Sequence, residues 1–115
     1  MYKKLTRTEA AAIVAAGGAT LNKGARAVSF KKGFQVSKKD GYILNAEKIG
    51  EIAGAINEIL NRMGGADFCG VWVDGGRVYI DISERIKNRK KAEAIGRGRR
   101  QLSIFDWSKN DCIFL

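Results

Sequence analysis

The sequence lacks proline and histidine altogether and has only two cysteines, Cys69 and Cys112, among 115 residues. Histidine is the commonest general base near neutral pH, so its absence removes the side chain on which most acid–base catalysis depends. Two thiols without an imidazole also fall short of the ligand set of a structural zinc site. We therefore expect a protein that is not an enzyme and that holds neither a metal nor a cofactor.

Both cysteines lie in apolar, strand-like runs, so we expect buried free thiols in a reducing compartment. There is also no apolar run near the roughly 18 residues that a transmembrane helix needs. The opening MYKKLTRTEAAAIVAAGG imitates a secretory signal, but Glu9 interrupts it and the apolar run of residues 10–16 is short. The expected localisation is cytoplasmic, with no membrane partner.

Positive charge is what the chain has in excess. Its 21 lysines and arginines outnumber its 12 aspartates and glutamates, which gives a net charge of +9. The hydrophobic fraction of 45% and the charged fraction of 29% are typical of a globular chain, and this length predicts a single domain over residues 1–115. Such a basic balance indicates an anionic partner, either nucleic acid or an acidic protein surface.

The charge is segregated along the chain. Residues 85–100 contain eight basic residues and one acid, whereas residues 40–84 contain eight acids and three basic residues. Residues 1–39 contain nine basic residues and one acid. Two basic zones therefore flank an acidic middle, and either zone is a candidate binding surface.

The clearest local structure is a β-hairpin centred on Asp74-Gly75-Gly76-Arg77. Two glycines suit the central positions of a tight turn, where φ is positive and a Cβ is penalised. This register pairs Trp72 with Tyr79 on one face, and Asp74 with Arg77 as a cross-strand ion pair. The opposite face carries four β-branched residues: Val71, Val73, Val78 and Ile80.

The other elements follow from capping signals and periodicity. Thr6-Arg7-Thr8-Glu9 is a capping box that begins a first helix, and apolar steps of three and four predict a second helix over residues 46–63, capped by Asn45. Gly50 and Gly54 disfavour a helix interior, so we expect close approach to the sheet there. Short β-like runs at 19–21, 27–30, 34–36, 42–44, 101–105 and 112–115 are separated by turns, with a loop at 38–41. The predicted fold is α+β, an antiparallel sheet of hairpins with about three helices packed mainly on one face.

A basic helix is predicted to begin at Ser83 or Asn88 and to continue to about Arg97, with a ragged end caused by its glycines. Ala92 and Ile95 face inward on a helical wheel. The candidate partner-binding or nucleic-acid-binding residues are the eight basic side chains of this segment: Arg85, Lys87, Arg89, Lys90, Lys91, Arg97, Arg99 and Arg100.

Two interpretations of the basic segment stay open. A solvated helix face is the usual meaning of a charge run, and Glu93 can bridge either Arg89 or Arg97, each four residues away. However, a solvated face normally mixes signs, whereas uncompensated positive charges repel one another until a polyanion or an acidic groove neutralises them. Trp72 and Tyr79 are candidate stacking residues for bases, and packing beneath a helix or against the N-terminal strands is the alternative.

Several motifs occur in a fixed order: GGATL, GFQVS, a helix, GVWVDGGRVYIDISE, EAIGRGR and QLSIFDW. In this order the chain resembles a family of small proteins from bacteriophages and mobile elements. Small phage proteins often inhibit host defence, so the resemblance implies an anti-CRISPR or other anti-defence role in the host bacterial cell. That family usually has an acidic residue capping an acidic last helix, whereas Asn88 and Arg89-Lys90-Lys91 stand here, which marks the basic helix as a special feature.

Three functions follow as hypotheses. The first is a phage or mobile-element binding protein whose basic helix engages a host defence effector or other nucleoprotein, or its nucleic-acid channel, and inhibits it by occlusion. The second is a general DNA- or RNA-binding accessory protein, which lacks zinc fingers or a clear helix-turn-helix with which to read sequence. The third is a metal-dependent nuclease that uses Asp74, Asp81 and Glu84, although strand alternation separates Asp74 from Asp81 along the ladder.

Overall fold

The computed structural model describes residues 5–115, apart from the side chains of residues 39 and 40. Within that range an antiparallel, curled sheet carries its helices on one face, so the predicted α+β fold is confirmed. The three helices and six strands of the described range are α1 (Arg7–Ala15), β1 (Gly18–Leu21), β2 (Phe34–Asn45), α2 (Ile49–Arg62), β3 (Phe68–Asp74), β4 (Arg77–Ile86), α3 (Arg89–Gly98), β5 (Ser103–Asp106) and β6 (Asp111–Phe114).

The β3–β4 hairpin has the register that its turn predicts. Trp72 pairs with Tyr79, and both turn glycines, Gly75 and Gly76, have positive φ. Asp74 and Arg77 also face each other across the ladder, but no ion pair within 4 Å joins them in the described part of the chain. The prediction of an ion pair there is therefore wrong, because both exposed side chains are free to extend into water.

The sheet has the strand order β1-β3-β4-β2-β5-β6, and two apolar clusters lie on its covered face. The larger cluster packs α1 and α2 against β1, β3, β4 and the end of β2; its fully buried members include Leu21, Ile56 and Ile80. The smaller cluster packs α3 against Val36 and Ile104. All three helices of the described range pack on this face, so the opposite face of the sheet carries no helix within that range.

Strand β2 is much longer than the sequence indicates. Residues 38–41, predicted as a loop, lie inside it, and register shifts between Ser37 and Lys39 and between Asp40 and Tyr42 accommodate them. Pairing with β4 over ten residue pairs stabilises this polar stretch as a bulged strand, which local composition cannot reveal. Residues 27–30 form no strand; a single bridge joins Leu21 to Ala27.

Helix α2 begins at Ile49, three residues later than predicted. Asn45 forms a turn, accepting a hydrogen bond from the Glu47 backbone N–H at 2.8 Å, rather than capping the helix. Gly50 and Gly54 lie on the exposed side of α2, and a Cβ built on Gly54 would meet no atom within 4 Å. The expectation of close approach to the sheet at these two glycines is therefore wrong.

Close approach occurs instead at Gly96 of α3. A Cβ built there would lie 2.7 Å from Leu115 Cδ1 and 3.0 Å from Ile104 Cγ2. The helix continues through this glycine to Gly98, so its end is regular and not ragged. Of its two predicted starting points, Asn88 is confirmed: its Oδ1 accepts from the Lys91 backbone N–H at 2.9 Å, whereas Ser83 lies within β4.

Lys23 closes the C-terminal end of α2. Its ammonium donates to the carbonyl oxygens of Leu60 at 2.5 Å, Asn61 at 3.1 Å and Met63 at 2.6 Å. The last carbonyls of a helix have no partner within the helix, and they carry its partial negative charge. We expect Lys23→Met, which keeps the aliphatic stem, to lower the free energy of unfolding by about 1–2 kcal/mol in urea denaturation.

Lys48→Met is the matched control, because Lys48 is exposed at the other end of the same helix and makes no side-chain capping bond. Its effect on the free energy of unfolding should stay within about 0.5 kcal/mol. Equal losses in the two variants would contradict the assigned role of Lys23.

Candidate functional site

The first turn of α3 places three consecutive cations, Arg89, Lys90 and Lys91, at the positive end of the helix dipole, and that turn contains no acid. Cations at an exposed helix N-terminus are unfavourable by about 0.3–1 kcal/mol each. Packing of the buried Ala92 and the Asn88 cap hold the helix in place despite this repulsion. The predicted inward orientation of Ala92 is confirmed.

Four of the eight candidate arginines and lysines have partners within the protein. Arg89 Nε lies 3.4 Å from Glu93 Oε2, and Arg97 Nη2 lies 3.8 Å from Glu93 Oε1, so this carboxylate bridges both as its spacing predicts. Arg85 donates to the Lys32 carbonyl oxygen at 2.8 Å and its guanidinium lies 4.5 Å from the centre of the Phe30 ring. The fourth is Arg99, which forms hydrogen bonds to residues of two strands.

Arg99 connects three elements. Its Nη2 donates to Glu84 Oε2 at 2.7 Å on β4, and its Nη1 donates to the Ser37 carbonyl oxygen at 3.1 Å on β2. This carbonyl needs such a donor because β5 pairs with β2 only at Phe34 and Gln35, so the sheet opens beyond that point. Arg99 is therefore engaged in holding the end of α3 against the sheet.

The other four basic residues carry charge that their surroundings leave uncompensated. Lys87, Lys90, Lys91 and Arg100 are exposed, and no carboxylate of residues 5–115 with a described side chain lies within 4 Å of them. Three of the four stand together at the N-terminal end of α3, and we refer to Lys87, Lys90 and Lys91 as the lysine end. Arg100 stands alone at the other end of the helix.

Arg100 has an unusual backbone conformation. Its φ is +59°, and its N–H donates to the Arg97 carbonyl oxygen while the Gln101 N–H donates to the Gly96 carbonyl oxygen. These two bonds define a Schellman motif, in which the left-handed position is usually glycine. An L-residue in this position is strained by about 1–2 kcal/mol. The chain therefore holds an exposed arginine where glycine would fit better.

The helix-free face of the sheet exposes an apolar row. Registers place Trp72, Tyr79 and Ile43 side by side on β3, β4 and β2. Trp72 is 51% exposed and Ile43 is 63% exposed. Packing of Trp72 beneath a helix is therefore excluded, whereas the other alternative, packing against an N-terminal strand, stays open because Trp72 pairs with Gly18 of β1.

A second aromatic group lies at the other end of this face. Phe30 contacts Phe68 and Trp107 edge to face, with ring centres 5.7 and 5.3 Å apart, and Trp107 contacts Phe105 at 4.9 Å. The Trp107 indole N–H donates to Gln35 Oε1 at 3.0 Å, and Gln35 Nε2 donates to Ser83 Oγ at 2.9 Å. These bonds fix the orientation of the Trp107 ring.

Between the two aromatic groups lies an open groove of about 1120 Å³. Its floor is made of small and polar residues, because Gly70 pairs with Thr20 on one side and with Asp81 on the other. The Ser37 hydroxyl, also in the lining, is buried without a hydrogen-bond partner among the described atoms. We call this feature the sheet groove; Trp72, Tyr79, Phe105, Trp107, Arg99 and Arg100 all line it.

Of the predicted site residues, the structure brings together Trp72, Tyr79, Arg99 and Arg100. The lysine end, Arg85, Arg89 and Arg97 do not line the groove. Sequence reasoning missed Ile43, Phe105 and Trp107, whose only local signal is strand alternation. Their place in the groove depends on long-range pairing of β2 with β4 and β5.

The three acids considered for a nuclease do not share a site. Asp74 lies at the hairpin turn, Asp81 lies on the groove face of β4, and Glu84 lies on the covered face bonded to Arg99. No group of three or more potential metal ligands is found among the described residues. Both cysteines are free; Cys69 is buried as predicted, and burial raises the pKa of its thiol to about 12, while Cys112 is half-buried with a raised pKa from the same cause.

No protein-family model, curated protein or solved structure matches the chain. The resemblance to phage proteins therefore stays a prediction. In the described range no helix is both long enough and apolar enough to span a membrane.

Replacement of Arg100 tests whether its side chain is kept at the expense of stability. We expect Arg100→Gly to raise the free energy of unfolding by about 0.5–1 kcal/mol. Glycine relieves the left-handed strain in the folded state. Its greater conformational freedom in the unfolded state cancels only part of that stabilisation. Urea denaturation followed by circular dichroism measures the change. Arg100→Ala, which keeps the strain, is the control, and destabilisation of the glycine variant would show that the side chain contributes to the fold.

Proposed function

We propose that this protein is a non-enzymatic binding protein that uses the lysine end and the outer face of α3 to engage the nucleic-acid channel of a nucleoprotein. The observation that carries the proposal is the concentration of uncompensated charge at the N-terminus of α3. The channel of a nucleoprotein that holds nucleic acid offers a phosphate backbone, and the protein surface around the channel can offer acidic patches. Either would neutralise this end of the helix.

The mechanism is occlusion. A ten-residue helix that presents positive charge from the sheet can bind the phosphodiester backbone exposed in such a channel and block the channel sterically. Such binding needs no catalytic group, and the dispersed acids Asp74, Asp81 and Glu84 provide no converging set. The strength of the interaction should fall steeply with salt, because each neutralised phosphate releases condensed counterions.

The sequence resemblance extends the proposal to a biological role. Small proteins of phages and mobile elements often inhibit host defence, so we propose that the target is a host defence effector in the bacterial cytoplasm, and that the protein acts as an anti-CRISPR or related inhibitor. The basic helix then binds the phosphate backbone of a guide or target strand held in the effector and blocks access to its channel.

A second candidate is a general DNA- or RNA-binding accessory protein. The exposed Trp72 and Arg100 favour it, because both line the sheet groove and such residues suit bases and phosphates directly. A pull-down from bacterial lysate, with and without nuclease treatment, separates the two candidates. Capture of a nucleoprotein that survives nuclease treatment supports occlusion, whereas loss of all captured protein supports direct nucleic-acid binding.

Charge reversal of the lysine end tests the surface itself. We expect Lys90→Glu/Lys91→Glu to weaken binding to labelled duplex DNA at least tenfold at low salt, because both lysines stop contacting phosphate. The plot of log affinity against log salt concentration should become shallower, with the magnitude of its slope smaller by about 1.8, since each lost phosphate contact removes about 0.9. Fluorescence anisotropy over a salt series measures both quantities. The variant should also be more stable, because acids favour a helix N-terminus.

The matched control is Lys48→Glu/Arg77→Glu, which changes the net charge equally at two exposed positions outside α3. This control should lose less than threefold in affinity. Equal losses in both double variants would mean that net charge alone drives binding, and the proposed surface would be abandoned.

A further inference from the structure

We infer that the sheet groove is a second binding site, which takes the unpaired bases of single-stranded nucleic acid. The inference rests on the proposed function, because it names the form of nucleic acid that the same protein would hold. The sheet groove and the lysine end are different surfaces, so an experiment can contradict the role of one and leave the role of the other standing.

The apolar row supplies the stacking surface. Trp72 is half exposed on the helix-free face of the sheet and pairs with Tyr79, so part of its ring surface is accessible to a ligand. Gly18 pairs with Trp72 on the outer side, and a Cβ there would collide with the Val71 carbonyl oxygen and crowd Trp72 Cα at 3.2 Å. The approach to the indole along β1 is therefore unobstructed by a side chain. Stacking on such rings is tolerant of base identity, because every base has a π-face.

The floor of the groove is shaped for the base edges. Gly70 has no side chain between Thr20 and Asp81, and a Cβ there would collide with Asp81 Oδ1. Thr20 and Ser103 also line the groove and carry hydroxyl groups, whereas the Ser37 hydroxyl is buried. A polar floor between two aromatic groups suits planar rings with hydrogen-bonding edges.

The charges set the direction of the chain. Asp81 lies in the floor, whereas Arg99 and Arg100 lie at the side where β2 and β5 separate. Arg99 is held by Glu84 and the Ser37 carbonyl, so Arg100 is the arginine available for phosphate. The backbone of a bound strand then follows the arginine side, with its bases turned toward the floor and the Trp72 ring.

The strained conformation of Arg100 gives independent support. Glycine fits its left-handed position better, yet the chain keeps an exposed arginine that has no carboxylate partner within 4 Å among the described residues. Strain of this kind tends to be retained where a side chain serves binding. An acidic peptide would satisfy Arg100 but would leave the stacking row unused, and a duplex cannot place its paired bases on Trp72.

Photo-cross-linking of a bromouracil-substituted 12-nucleotide DNA strand tests the inference, with affinity measured in parallel by anisotropy for that strand and its duplex. We expect cross-links at Trp72 or Tyr79 with the single strand only. We expect Trp72→Leu to lower single-strand affinity about tenfold, within the range of one lost base–aromatic stack. Duplex affinity and the effect of Lys90→Glu/Lys91→Glu should be unchanged.

Ile43→Thr is the matched control, since it removes an equally exposed apolar side chain of the same row without removing an aromatic ring. The affinity of this variant for the single strand should stay within twofold of the unchanged protein.

If the duplex binds through the lysine end but Trp72→Leu leaves single-strand affinity unchanged, or the cross-links map elsewhere, the inference fails and the proposed function survives. If neither strand nor duplex binds at low salt, direct nucleic-acid binding fails on both surfaces. If Trp72→Leu and Ile43→Thr both weaken binding of a poly-glutamate peptide and leave the oligonucleotides unaffected, the groove binds acidic peptide and the inference is wrong.

Discussion

Strand β4 imposes the constraint on which the rest of the structure depends. It pairs with β3 on one side and β2 on the other, so it fixes the relative register of three strands at once. Val78 and Ile80 face the helices, whereas Tyr79 and Asp81 face the groove. A slip of one residue would exchange these two sets, because side chains alternate with period two. The Gly75-Gly76 turn prevents the slip and so determines both the core and the groove.

The parts of the fold that the sequence predicts correctly are those with local causes. The β3–β4 register follows from two glycines and alternating side chains, and the start of α3 follows from the hydrogen-bonding capacity of Asn88. The length of β2 does not follow, because the polar residues 38–41 resemble a loop until β4 supplies hydrogen-bonding partners across two bulges. A capping asparagine before α2 was equally ambiguous, since Asn45 satisfies a backbone N–H in a turn as readily as in a helix.

The sequence likewise predicts only some features of the candidate site. The basic character of α3 is visible in composition, but composition cannot show which charges are already used. Arg99 and Arg85 bind backbone carbonyls far away in sequence, whereas Lys90 and Lys91 have no acid near them among the described residues. The stacking interpretation of Trp72 was one of two that sequence left open. Excluding the alternative of packing beneath a helix requires knowing that the described helices pack on the other face, which is a property of the whole sheet.

Helix α3 contradicts local preference at both of its ends. Its first turn carries cations against the dipole, and its last turn ends with an arginine in a glycine conformation. Between them only Ala92 and Gly96 are fully buried, so the helix has little apolar packing to offset these costs. Sequences are generally consistent with their folds, and local violations concentrate at functional positions. A surface selected for stability alone would have placed acids at the N-terminal end and glycine at position 100, so the two violations on one short helix favour binding of an anion over a merely solvated face.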